Sequence, residues 1–273
     1  MNKADNYLIG TLQEIYFAGN RDKDPRAKYK DGIPAYTKFI TQKVFQYNLN
    51  EGEFPIPTVR KTAIKMGIEE ILWIYQKQSN NLSDGVNWWA DWDIGDRTVG
   101  LRYGATVRKH NIINELLYNL EVNPYSRRHI IDLYQYADFK ETEGLYPCAF
   151  NCMLSVRGEY IDMTLTLRSS DFIVAGFINQ IQYVALLMMI CGHLEFETGK
   201  VHKPGNFMCV LQNVHTYNRH DWAVREVIER TPLEFSPKIE LEQKKNFYQY
   251  KLEDFKITVP KIEPLTKELE LAI

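Results

Sequence analysis

The chain has 273 residues, with 33 Lys+Arg against 35 Asp+Glu, 45% hydrophobic and 25% charged residues, a balance that belongs to a folded soluble protein and excludes disordered, collagen-like and low-complexity classes. A formal charge of −2 and a pI near 6.3 supply no broad positive field for DNA or an anionic membrane, so any anion site has to be local. Four cysteines are too few to staple a chain of this length, and the opening MNKADNYLIG lacks the apolar run of a signal peptide, which predicts a cytoplasmic protein with free thiols.

In chain order, apolar residues at Leu8, Ile9, Leu12, Ile15 and Tyr16 predict a helix over residues 6–17, ending near Gly19. Residues 35–48 mix β-formers with lysines and predict the start of a sheet. Ile64, Ile68, Ile71, Leu72 and Tyr75 give a second helix with Glu70 on its flank, beside the buried stripe. Residues 76–85 form a polar loop and residues 88–104 a Trp- and Gly-rich connection. Helical spacing resumes over residues 112–120 until Asn123-Pro124 stops it. Strands follow over residues 129–134, 149–156 and 160–167, the last two joined by a turn at Arg157-Gly158. Residues 172–194 contain no Asp, Glu, Lys or Arg and reach membrane-spanning length. Asn179, Gln180, Gln182 and His193 would be costly in lipid but can be hydrogen-bonded in a protein core, so a buried central helix is expected. A strand near residues 207–211, a helix over 221–230 and a β-like stretch over 254–259 complete the pattern. No internal repeat is present, and a single domain over residues 1–273 is expected.

Cys148 follows Pro147 at the mouth of a predicted strand, where its sulfur could face a cleft; a free cysteine taken alone is more often a packing residue. The spacing of Cys148 and Cys152, and of His215 and His220, does not suit zinc, so no metal is expected. Arg127-Arg128 reads either as a solvated pair or as an anion clamp. Arg168-Ser169-Ser170-Asp171 reads either as an ordinary Arg–Asp ion pair or as a phosphate site whose cation would favour a nearby thiolate.

Taken together, the strings FPIPTVRKTAIK and EEILW, Trp89-x2-Trp92, Tyr103-Gly104, SRRHI, YPC, LRSSD, Asn179 eight residues after Asp171, HTYNRH and the terminal Ala272-Ile273 resemble the folate-dependent thymidylate synthases, in order and spacing, over nearly the whole chain. The resemblance implies an α+β fold, a mixed sheet covered by helices around a long buried helix, dimerising through the sheet face. It implies reductive methylation of dUMP to dTMP with 5,10-methylenetetrahydrofolate as one-carbon and hydride donor, without metal or flavin. The near alternative is a hydroxymethylase acting on dUMP; dCMP suits it less, because members acting on cytosine carry Asp at the Asn179 position. A third reading is a nucleotide-binding paralogue without catalysis, against which Cys148, Glu70 and Asn179 count.

Residue by residue, the resemblance makes Cys148 the nucleophile that adds to C6 of uracil and Arg168 a contact to both phosphate and thiol, with Ser169 and Arg26 on the same phosphate. It makes Arg127 and Arg128 a pair reaching into the partner's site across a homodimer. Asn179 would pair with uracil O4 and N3, held by neighbours such as Gln180 and Tyr183. His215 and Tyr217 would bind the 3′-hydroxyl, Glu70 would organise proton transfer to O4, and Tyr103 would lie near the C5 proton. Asp171 and Trp89 would contact the folate, and Ile273 would close over it. The chain departs from the family pattern at Ala149, where histidine is common, at Ala175, Gly176, Phe177 and Ile178, and at Leu211, Gln212 and Asn213, where Gly-Gly-Asp is expected.

Overall fold

A computed structural model describes residues 2–273. Helix α1 (Lys3–Ala18) starts where the Asn2 side chain accepts from the Asp5 amide at 2.8 Å, and it turns Leu8, Leu12 and Ile15 inward. Asp5 is itself buried, yet the Thr58 amide, the Thr58 hydroxyl and the Val59 amide all donate to it, so this carboxylate ties the first helix to the segment before the second. The chain continues through β1 (Asn20–Arg21), β2 (Thr37–Asn48) and α2 (Ile64–Ile71), which runs on as a π-helical turn, Leu72–Gln76. After a 3₁₀ turn at Asn87–Trp92 come α3 (Gly104–Lys109), α4 (Ile112–Val122), β3 (Ile130–Asp132), α5 (Tyr136–Glu141), β4 (Ala149–Arg157) and β5 (Tyr160–Asp171). The remainder is α6 (Gly176–Thr198), β6 (Lys203–Tyr217), α7 (Asp221–Glu229) and the pair β7 (Lys238–Leu241) and β8 (Phe255–Thr258).

Six strands form one mixed sheet in the order β1-β2-β6-β5-β4-β3, antiparallel throughout except for the parallel pair β5–β6. A parallel pair needs a crossover, and α6 provides it. That helix carries no charged side chain through Leu194 because it lies between the sheet and α2, α4 and the β7 strand, which explains why a membrane-length segment is 89% buried inside the protein. The uncharged stretch does not become helical at residue 172, as expected, because Phe172 to Ala175 form a turn first. Gly176 opens the helix on top of the Phe172 ring, where a Cβ would come within 2.5 Å of the ring's Cδ2.

The strand expected near residues 207–211 is only the middle of the 15-residue β6, whose alternation continues through the polar positions His215 and Tyr217 toward the site. Four short elements, β1, α3, α5 and β7, lie outside the sequence pattern, being too brief or too charged to show a period.

Candidate active site

The carboxyl ends of β5 and β6, the start of α6, the α2 flank and the Trp-rich turn enclose a cleft of about 300 Å³. Cys148 precedes β4 by one residue, and the β4–β5 register slips between Ala149 and Asn151, a bulge that bends the strand next to the thiol. The Arg168 guanidinium fixes this corner. It donates to the carbonyls of Tyr146 at 2.7 Å and Pro147 at 3.0 Å, and it reaches the Ser169 hydroxyl at 3.3 Å and the Cys148 Sγ at 3.6 Å. Arg168 thus holds the thiol's own chain segment instead of forming the ordinary ion pair with Asp171, and it sets a positive charge where a thiolate would form.

Glu70 is buried in the same cleft and accepts from Trp88 Nε1 at 2.6 Å. Burial pushes its carboxyl up to about 7, with the Trp88 hydrogen bond opposing. Tyr103 faces Glu70 and Cys148, and burial raises its phenol well above the ordinary range. Its backbone is strained, with φ of 49°, immediately before Gly104, whose close approach to the Ser79 backbone leaves no room for a Cβ. Behind it, Arg102 is fully buried; its guanidinium donates to the carbonyls of Leu101, Asp138 and Thr142 and lies over the rings of Phe139 and Tyr146. Through Tyr146 this cage braces the approach to Cys148.

Asn179 stands in the first turn of α6 and donates to Gln182 Oε1 at 3.0 Å. The expected supports are therefore corrected. Gln180 faces away, donating to the Gly176 carbonyl, and Tyr183 bonds to the Tyr75 hydroxyl, so neither orients this amide; Gln182, one helical turn along, does. On β6, His215 Nδ1 lies 2.9 Å from Asn213 Oδ1. An amide oxygen only accepts, so Nδ1 carries the proton and Nε2 of the neutral ring is an acceptor. Burial holds the His215 pKa below its ordinary value, with Asp171 opposing, and burial pushes Tyr217 up to about 12.

Asp171 is raised by burial, opposed by His220 and His215, and its Oδ1 is buried without a hydrogen-bond partner. Trp89, Trp92, Ile71, Ile74 and Val174 supply apolar walls beside it. Ile273 closes the rim, its backbone exchanging hydrogen bonds of 2.9 and 2.8 Å with Lys28, two residues from Arg26. All the candidate residues except Arg127 and Arg128 line this one cleft; those two are exposed, in the segment between α4 and β3. Trp88 and Gln182 escaped the sequence reading, since nothing in spacing marks which tryptophan of the Trp88-Trp89 pair, or which of several amides on α6, turns toward Glu70 and Asn179. Among the described residues, no group of three or more His, Cys, Asp or Glu side chains could hold a metal ion.

A thiol backed by a fixed cation, a carboxyl titrating near neutrality and an orienting amide inside apolar walls are the parts of a nucleophilic enzyme acting on a polar, planar substrate, rather than of a structural or interaction module. Known proteins agree with that class and narrow it. The family model for thymidylate synthase matches residues 6–268. Thymidylate synthases of Streptococcus pneumoniae (strain 70585) and Lactococcus lactis subsp. cremoris (strain SK11) are 45% identical over 94% of both chains and 43% identical over 99% of this chain and 98% of the other. The solved structure of the thermostable thymidylate synthase A from Bacillus subtilis superposes with a TM-score of 0.88 at 28% identity, over 98% of this chain and 99% of the other. The chain belongs to the thymidylate synthase family, and it is accordingly a methyltransferase.

Proposed function

We propose that the protein methylates dUMP reductively to dTMP through a covalent bond between Cys148 and uracil C6. The observation that carries this reading is the placement of the Cys148 sulfur 3.6 Å from Arg168, in a cleft shared with Glu70 and Asn179. Attack by sulfur on C6 forms the S–C bond and moves the ring's π electrons toward C5 and O4, so C5 becomes nucleophilic. Glu70, half ionised near pH 7, is suited to pass a proton at the O4 side, and Tyr103 borders the path to the C5 hydrogen. Asn179 keeps one N–H and its oxygen for O4 and N3–H once Gln182 has taken the other N–H. Arg26, Arg168 and Ser169 suit the phosphate, while His215 Nε2 and Tyr217 suit the 3′-hydroxyl.

5,10-Methylenetetrahydrofolate supplies the one-carbon unit and the hydride when bound. The cleft suits it: the partnerless Asp171 Oδ1 can accept a pterin N–H, the walls at Trp89, Trp92, Ile71 and Ile74 fit a flat ring system, and Ile273 stands at the rim. These walls also favour hydride over water as the final nucleophile. The proposal extends to a homodimer through the open sheet face, with Arg127 and Arg128 serving the partner's site, and to the cytoplasm, where the free thiols of the four cysteines persist. Support for the dimer comes from the register: Ile130, Met153, Thr164 and Met208 form one cross-strand row and Asn151, Thr166, Val210 and Val44 the next, on one face of the sheet. Ile130, Met153 and Val44 remain 47%, 45% and 52% exposed in the single chain, an apolar patch that association would bury.

The test follows dihydrofolate formation from dUMP and methylenetetrahydrofolate. The wild type is expected to form it only when dUMP is present, and Cys148→Ser to lose roughly a thousandfold or more of the rate while still binding dUMP. Retention of the rate by Cys148→Ser would remove the nucleophile from this account.

A further inference from the structure

Two stretches without helix or regular ladder border the cleft: residues 22–36, which carry Arg26, and residues 259–273, which end on Ile273. The first is pinned by an isolated bridge between Lys28 and Pro34 and by short backbone bonds from Tyr29 to Ile33, Gly32 to Tyr29 and Ala35 to Ala27, and the backbones of the two segments meet where Lys28 and Ile273 exchange hydrogen bonds. Arg219, in the turn between β6 and α7, lies between them. Its Nη2 donates to Asp31 Oδ2 at 2.6 Å, and its Nη1 reaches both carboxylate oxygens of Glu270, at 3.0 and 2.9 Å. The guanidinium lies over the Tyr29 ring, 4.0 Å from its centroid, and the Tyr29 hydroxyl donates to Asn218 and accepts from the Arg219 amide. The Glu270 carbonyl accepts from His220 Nε2 at 2.8 Å, and Nδ1 of the same ring lies 3.9 Å from Asp171 Oδ2.

We propose that Arg219 is a positioning residue that couples nucleotide binding to folate binding, by clamping Asp31 of the Arg26 loop and Glu270 of the C-terminal segment in one closed arrangement. This rests on the reading of the cleft as a dUMP and folate site. Exposed ion pairs of this kind contribute little to the stability of a fold. What they can do is add a side-chain link, away from the Lys28–Ile273 backbone contact, between two segments that carry different ligands: a phosphate held at Arg26 fixes the loop and Asp31, the arginine is then held toward Glu270, and less ordering remains for the tail when the second ligand binds. The planar fork of arginine serves two carboxylates at once, a geometry the point charge of lysine does not reproduce.

Calorimetric titration with dUMP and dihydrofolate, which has no methylene group to transfer, measures this without turnover. In the wild type, saturating dUMP should tighten dihydrofolate binding. Arg219→Met should reduce that enhancement by about 5- to 30-fold, with the affinity for dUMP alone changed by less than about threefold. Arg219→Lys should recover part of it, and Asp31→Asn and Glu270→Gln should each show the same loss, so that poor folding of one variant leaves others to read. An enhancement unchanged in these variants, or absent from a wild type that binds both ligands, overturns the role of Arg219. A wild type that binds neither ligand overturns instead the reading of the cleft.

Discussion

At the scale of single residues, Glu70 is a carboxyl that the cleft holds against solvation. A carboxyl inside the core, reached by one indole N–H, has its pKa at about 7 against an ordinary 4.5. Below pH 4.5 it is protonated in the folded and the unfolded chain alike and makes no difference to stability. Between 4.5 and about 7 the unfolded chain gives up the proton first, so the fold loses stability as pH rises, by about 3 kcal/mol at the plateau above 7. Glu70→Gln should therefore be more stable than the wild type by up to about 3 kcal/mol in denaturant titrations at pH 8, with little difference at pH 4.5, and should lose roughly a hundredfold or more in kcat. A stabilisation equal at both pH values would mean that ionisation of Glu70 is not its source.

His215 carries a related device. Its partner Asn213 is neutral, where the family pattern has Asp, so the protonated ring gains no counter-charge from it. Asn213→Asp should raise the His215 pKa, measured by NMR titration of the ring, because a carboxylate at the same 2.9 Å contact favours the imidazolium. An unchanged or lowered value would show that Asp171, and not residue 213, governs this ring.

At the scale of elements, the first turn of α6 is, in the proposed function, the part that sets base choice. With its N–H bonded to Gln182, the Asn179 amide is held in one orientation, a donor to O4 and an acceptor for N3–H; cytosine presents the opposite pattern, at about 1–3 kcal/mol per unsatisfied group. Asn179→Asp should narrow the ratio of kcat/KM for dUMP over dCMP, and Gln182→Leu should narrow it by releasing the amide. A wild type that uses dCMP as readily as dUMP would contradict the assignment. This helix was legible in the sequence because a segment buried on every side has to shed its charges, and the strands β4 and β5 were legible because one side of each is buried and alternation survives. The ends of β6 were not, since Lys203, Pro204 and Gly205 hide the period at one end, and at the other the alternation in burial persists but polar residues stand on both faces, so the apolar pattern fades. The chemistry-bearing positions could be aligned by motif, whereas their supports could not: Trp88 reaches Glu70 across 18 residues, Arg102 reaches Thr142 across 40 and Arg219 reaches Asp31 across 188, and such contacts leave no local spacing.

At the scale of the molecule, the proposed dimer, in which Arg128 serves the partner's site, predicts complementation. Arg128→Ala and Cys148→Ala proteins, each weak or inactive alone, should regain activity when mixed under conditions that exchange subunits, because one site of the heterodimer keeps both residues. No recovery despite demonstrated exchange would place Arg128 outside the partner's site.

The central claim, that the carbon delivered to C5 is reduced and not hydrated, is tested most directly by the mass of the nucleotide formed from dUMP and methylenetetrahydrofolate. The account predicts a product heavier than dUMP by one CH2 unit, with dihydrofolate formed in equal amount. A product heavier by CH2O, with tetrahydrofolate released in place of dihydrofolate, would contradict it and identify a hydroxymethylase.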